Sequence, residues 1–312
     1  MSLSNSRMLR MYAAQSLESP AGVVEYVRRG PYRYREFSIP KRRGGRRMVA
    51  QPTARMKRIQ RWVVREVLGR SRECKVHPAA IAYRKGMSIL DGAEPHAENR
   101  WLLKLDLRQF FESISDQDLL GPGGALEESS GADREFVRRV CFRRRSKGRR
   151  YFLTVGAPSS PSISNIVMYP IDASIGALCE ERSVAYTRYA DDLTFSARAR
   201  QPLEGIEVLV GELLRAVESP RLQLNVEKRF LGSTKGRRRV LGLVLANDGR
   251  VGIGRDRRRE LRARCHSVLS GRAVNAEALA ELAGMLEYCR HVDAQFVSAL
   301  ERKYGPQFWR NW

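Results

Sequence analysis

Two adjacent carboxylates, Asp191 and Asp192, interrupt a stretch from Val184 to Ser196 that is otherwise rich in β-branched and aromatic residues. Side by side they repel one another, and a tight turn between apolar strands would strip them partly of water. Such a pair is best tolerated when a cation neutralises it. All-oxygen ligands select a hard cation such as Mg²⁺, with Mn²⁺ able to substitute. A third acid, Asp106, ends the apolar run Trp101-Leu102-Leu103-Lys104-Leu105. If it lies beside the pair, three carboxylates suffice to hold two metal ions about 4 Å apart, one activating a hydroxyl and one steadying a leaving pyrophosphate. Taken alone, an Asp-Asp pair is more often a solvated β-turn; the surrounding pattern favours the catalytic reading.

Those acids need rigid supports. Val184, Tyr186 and Arg188 alternate with other residues before the pair, and Leu193, Thr194 and Phe195 follow it, which predicts two short strands joined at Ala190-Asp191. Residues 101–106 read as a buried strand. Gly156-Ala157-Pro158 places small residues where a backbone can approach a base pair, and Ser160 as N-cap with Pro161 at the first helical position predicts a helix running through Ile163, Ile166 and Val167, with Pro170 as a kink or break. A strand is expected over Tyr151 to Val155. Upstream, a helix is expected from Pro20 to Arg29 and a strand from Pro31 to Phe37. Gly44-Gly45, flanked by Lys41 and Arg47, reads as a hairpin tip. Thr53 should cap a helix reaching Leu68, with Met56, Ile59, Val63 and Val67 on its buried face and five basic residues opposite. Leu203 to Val217 has helical spacing suited to packing. Past Gly254 the pattern is helical throughout, with Asn275 capping the second of three helices.

The chain has 312 residues, 57 Lys and Arg against 34 Asp and Glu, and a formal charge of +23. That excess points to a polyanionic partner. No apolar run approaches the roughly 18 residues of a membrane span, and Met1 to Ala14 lacks an apolar secretion core. The five cysteines, Cys74, Cys141, Cys179, Cys265 and Cys289, show no paired metal spacing and read as reduced thiols of a cytoplasmic protein.

In order along the chain, these stretches resemble a reverse transcriptase palm. Asp106 through Phe111 is similar to the first catalytic motif, Gly156 through Asn165 to the template and nucleotide motif, and Tyr189 through Asp192 to the second catalytic motif. Leu222 through Lys228 and Leu241 through Val244 are similar to the two motifs that follow. The compact length, Ile39-Pro40-Lys41 to Gln51-Pro52, and Val251-Gly252-Ile253-Gly254-Arg255 look most like the retron type. Three positions depart from that type: Gly92-Ala93-Glu94-Pro95-His96 stands where Asn-Ala-x-x-His is typical, Val240-Leu241-Gly242 where Val-Thr-Gly is, and Val155 where Gln commonly precedes Gly-Ala-Pro.

The resemblance implies an α+β right-hand polymerase fold, with fingers and a palm of antiparallel sheet packed on helices over residues 1–250, and a small helical thumb that binds RNA over 251–312. It implies two Mg²⁺ ions at Asp106, Asp191 and Asp192, and dNTP contacts from Lys41, Arg47, Phe111 as steric gate, Gly156, Ala157, Pro158 and Lys228. Nucleic-acid contacts would come from Tyr189, Leu241, Gly242, Arg255, Arg258, Arg259 and Arg262. The implied activity is RNA-directed DNA synthesis on a cognate structured noncoding RNA, giving a branched RNA–DNA hybrid (msDNA) in an antiphage system with a separately encoded effector. The alternatives are another bacterial reverse transcriptase class without branched priming, or a non-catalytic RNA-binding module.

Overall fold

The computed structural model describes residues 2–40, 44–145, 148–270, 275–305 and 308–311. Helices α1 (Arg7–Ser16) and α2 (Pro20–Arg28) lead, through a single turn at Gly30–Tyr32, into an antiparallel hairpin of β1 (Tyr34–Pro40) and β2 (Arg46–Pro52). The strand thus starts three residues later than expected, because Pro31 lies in that turn. Gly44 and Gly45, both left-handed, sit at the hairpin tip; Lys41 lies outside the described residues. Helix α3 (Ala54–Trp62) runs on to Leu68 in wider π turns and buries Met56, Ile59 and Val63. Thr53 stands at the cap position without capping, its hydroxyl being paired with Tyr26 Oη at 2.5 Å.

The chain continues through α4 (Ile89–Ala93), β3 (Trp101–Asp106), the short α5 (Phe110–Ser113) and α6 (Gln117–Leu120), and α7 (Gly131–Cys141). The basic run after α7 pairs β4 (Arg143–Arg144) with β5 (Tyr151–Phe152); Ser146 and Lys147 of that run lie outside the described residues. The strand expected to reach Val155 stops at Phe152 because the next backbone groups have other partners: Leu153 N–H donates to Ile114, and Val155 C=O accepts from Ala50 of β2. Helix α8 (Ser160–Val167) has Ser159 at its cap position. Ser160, the expected cap, lies inside the first turn, where its Oγ accepts from Thr154 N–H, and Pro161 is the second helical residue. Pro170 opens a new helix, α9 (Tyr169–Glu181).

Strands β6 (Ala185–Tyr189) and β7 (Asp192–Ala197) follow, then α10 (Ile206–Ala216) and β8 (Phe230–Ser233). With β3 they form a four-stranded antiparallel sheet of order β6-β7-β3-β8. Leu103, Leu105, Leu193 and Phe195 join Ile163, Ile171 and Ile175 of α8 and α9 in the larger hydrophobic core. A second core gathers a small sheet, β9 (Arg238–Val240), β10 (Leu243–Leu245) and β11 (Val251–Gly252), with three helices, α11 (Arg255–Leu269), α12 (Ala276–Val292) and α13 (Ala294–Tyr304). Val240, Leu243 and Leu245 share that core with Leu261, Leu282, Leu286 and Leu300, so its packing begins upstream of residue 251. Among the described residues no helix is long and apolar enough to cross a membrane.

Candidate active site

The palm sheet delivers the acids to one edge. In the β3–β7 register Asp106 is the partner of Asp192, and Leu107 N–H donates to Asp191 C=O at 2.9 Å. Ala190, left-handed at φ 56°, closes the turn that carries Asp191. Asp106 is buried; Asp191 and Asp192 are half-buried. Burial, then the neighbouring Asp192 and Asp106 carboxylates, raise Asp191 above the ordinary carboxylate range. Asp192 is raised by burial, against the nearby Lys104 ammonium. Lys228 Nζ reaches Asp106 Oδ2 at 2.6 Å, and Asn225 Nδ2 donates to Oδ1 at 3.2 Å.

These donors suit a hard divalent ion on chemical grounds: carboxylate oxygens, those of Asp191 and Asp192 pushed toward protonation by burial, beside Asn225 Oδ1, which is buried with no hydrogen-bond partner. Among the described residues no three His, Cys, Asp or Glu side chains are already gathered as a ligand set. Asp106 is instead shared with Lys228, so a cation engaging it must compete with that ammonium.

Beneath the turn is a support that sequence reasoning passed over. Arg188 is fully buried, and its guanidinium makes a bidentate pair with buried Asp172 of α9, Nε to Oδ1 at 2.8 Å and Nη2 to Oδ2 at 2.6 Å. Its Nη1 donates to Asn165 Oδ1 of α8 at 3.2 Å and to Ala190 C=O at 3.1 Å, so it grips the acidic turn directly. Tyr186 Oη completes the pair's surroundings by donating to Asp172. The signal was present: strand alternation puts Arg188 on the face of Val184 and Tyr186, and a charge on an apolar face requires a buried acid elsewhere. His96 forms a second clamp, its Nδ1 2.7 Å from Ser196 Oγ on β7 and its Nε2 2.8 Å from Thr187 Oγ1 on β6; burial pushes its pKa down to about 4.

The remaining expected residues divide. Phe111 is half-buried against Phe110 and faces Tyr83, whose ring is 6.4 Å away, as it also is from Tyr189. Arg47 is exposed on β2, opposite Ile39. Gly156, at φ 106°, has no room for a side chain because a Cβ would stand 2.8 Å from Val49 Cγ1: its smallness serves contact with the chain's own β2. Ala157 is buried and Pro158 half-buried beside it. Leu241 and Gly242, at φ 51° and 88°, make the turn between β9 and β10. A Cβ on Gly92 would lie 2.6 Å from Leu241 Cδ1, so two of the positions that depart from the retron pattern touch each other. On α11, Arg255 and Arg259 are exposed, but Arg258 is held by Asp293 through two 2.8 Å bonds, and Arg262 lies 5.3 Å over the Phe296 ring. The α11 arginines are therefore only partly available as a stripe. A cavity of about 990 Å³ between the small sheet and α11 is lined by Arg237, Arg239, Gly242, Arg255 and Arg257 among others.

Residues 39–245 match the family model described as reverse transcriptase (RNA-dependent DNA polymerase). Curated relatives include the retron Ec83 reverse transcriptase of Escherichia coli, 36% identical over 87% of this chain and 87% of its own length, and the retron Ec86 reverse transcriptase of the same organism, 30% identical over 88% and 83%. The retron Mx162 reverse transcriptase of Myxococcus xanthus is 34% identical over 83% of this chain, which spans 58% of that longer protein. Among solved structures, telomerase from Candida albicans in complex with a fragment of telomeric RNA superposes with a TM-score of 0.50 at 12% identity, covering 89% of this chain and 56% of that one; the likeness is one of fold.

Proposed function

The chain belongs to the reverse transcriptase family, among the retron reverse transcriptases, and is an RNA-directed DNA polymerase; from that premise we propose that Asp106, Asp191 and Asp192 are its catalytic carboxylates. The observation that carries the assignment is the pairing of Asp106 with Asp192 across neighbouring strands, with Asp191 on the adjoining turn. The family uses divalent metal ions, and two Mg²⁺ bound at these acids would supply activation of a primer hydroxyl and neutralisation of charge on the departing pyrophosphate.

The chain's own groups then have distinct tasks. Asp191 and Asp192, raised by burial, would hold the cations, whose charge would offset the repulsion between the two carboxylates. Lys228, ion-paired with Asp106 but half-exposed, holds a proton where pyrophosphate would leave. Phe111 excludes a ribose 2′-hydroxyl by bulk. Arg47, on the fingers hairpin, offers a planar fork to the triphosphate. Arg255 and Arg259 meet the RNA backbone, and Tyr189, Gly156, Ala157 and Pro158 line the template and nucleotide path. The substrate would be a cognate structured noncoding RNA, its product a branched RNA–DNA hybrid, and a separately encoded effector its partner in antiphage defence.

The test uses the purified full chain with poly(rA)/oligo(dT), dTTP and Mg²⁺. Asp191→Asn should lower the rate at least about a thousandfold without lowering the thermal midpoint; equal activity in the two proteins sinks the carboxylate assignment. Nucleic acid extracted from the protein made with its native locus should contain DNA joined to RNA through a link cut by debranching enzyme. Linear DNA alone would remove the branched product while leaving the polymerase.

A further inference from the structure

Tyr83 belongs to none of the sequence motifs, yet its ring stands beside those of Phe111 and Tyr189. Its backbone is left-handed, φ 64°, a conformation that a bulky non-glycine residue rarely adopts, and the residue is 50% exposed. The segment before it is fixed. Arg188 N–H donates to Ala79 C=O at 2.7 Å, Ile81 N–H donates to Arg188 C=O at 2.9 Å, and Asn165 Nδ2 holds Ala82 C=O at 2.8 Å. Ala80, Ile81 and Ala82 are buried, forming a short extra strip along β6. The residue after it is fixed as well, Arg84 Nη1 reaching back to the carbonyls of Pro78 and Ala80 at 3.2 and 3.1 Å. The fold therefore clamps both sides of a strained residue and sends its ring outward, to 6.4 Å from both Phe111 and Tyr189. Asp191 and Arg47 are near enough to act on its hydroxyl, which burial and the Asp191 charge raise above the usual phenol range. Strain held in place by its surroundings is a feature of functional positions.

We propose that Tyr83 is a nucleotide-binding residue: with Phe111 and Tyr189 it forms one aromatic wall against which the incoming dNTP packs. The inference rests on the polymerase reading. Packing on an aromatic face tolerates every base, so Tyr83 would set affinity for dNTPs as a class, leaving base choice to the template.

The decisive substitution is Tyr83→Gly, because glycine is at home at this φ and removes the ring while relieving the backbone. With poly(rA)/oligo(dT) as template-primer, Tyr83→Gly should raise the dTTP KM by about tenfold or more, lower kcat by less than about threefold, and leave the thermal midpoint at or above that of wild type. A residue that only props the loop would leave KM unchanged in this variant, and that result overturns the proposal. Tyr83→Phe should keep KM within about twofold of wild type if the ring provides the contact; a KM as high as that of the glycine variant overturns ring packing. Asp191→Asn runs beside them. A wild-type chain lacking Asp191-dependent synthesis would overturn the polymerase reading and this inference together, whereas an active wild type with a normal KM in Tyr83→Gly removes Tyr83 alone.

Discussion

Charge is handled in opposite ways at the acidic edge of the palm sheet and along α11. Around the acids, charges hold one another: Arg188 is locked by Asp172, Asn165 and the Ala190 carbonyl, and Asp106 by Lys228. Along α11, Arg258 is tied to Asp293, while Arg255 and Arg259 are exposed with no ion-pair partner among the described residues. Chemistry requires groups fixed to a fraction of an ångström before substrate arrives. Attraction to a phosphate backbone requires only that positive charge be near and displace counterions, so mobile side chains serve it well. The two regions divide positioning from attraction, and Arg258 belongs with the first although its sequence neighbours belong with the second.

The sharpest way to break that comparison is to remove Asp172. Asp172→Ala would leave the Arg188 guanidinium buried and unpaired, which should destabilise the fold by about 3–5 kcal/mol in urea denaturation. A loss under about 1 kcal/mol would make the buried pair equivalent to a surface one and end the distinction. Next in size is the pH dependence set by His96. Its folded pKa of about 4 lies below the ordinary value of 6.5, so between those values the unfolded chain binds the proton that the folded one refuses. The stabilisation is fully present above pH 6.5 and is lost as pH falls toward 4, by up to about 3 kcal/mol. His96→Gln should flatten the denaturation midpoint across that window, and an unchanged slope would remove His96 as its source. The smallest effects belong to α11. Arg255→Ala and Arg259→Ala should each reduce the salt slope of binding to poly(rA)/oligo(dT) by about 1 and change stability by no more than about 0.5 kcal/mol. Arg258→Ala should do the reverse, costing stability while leaving the slope nearly unchanged.

The parts of the site set by local pattern were legible in the sequence. Alternation and a short turn located β6, Ala190-Asp191 and β7, and the apolar run to Asp106 located β3, since each signal lies within a few residues. The α+β class followed, as did the three C-terminal helices and the Asn275 cap, whose side chain accepts from Ala278 N–H. What escaped depends on partners distant in sequence. Thr53 and Ser160 have cap chemistry, but Tyr26 and Thr154 N–H claim their hydroxyls. Arg258 fits a basic stripe until Asp293, 35 residues on, takes its guanidinium. Gly156 has a second reason to be small that local sequence does not show, since a Cβ there would meet Val49 of β2. Tyr83 gave no signal, because only the folding of residues 79–82 against β6 brings it to Phe111.

Gly92 and Leu241 meet where the smaller core joins the rest of the chain. A side chain at 92 would meet Leu241 Cδ1, so the leucine fits because its neighbour has none. Two residues far apart in the chain thus share one space, and a side chain added at 92 is accommodated only if the flexible end of Leu241 turns aside. The turn between β9 and β10 is thereby seated on the helix that leads into the palm, so the two cores meet at a point where one side has no side chain to give.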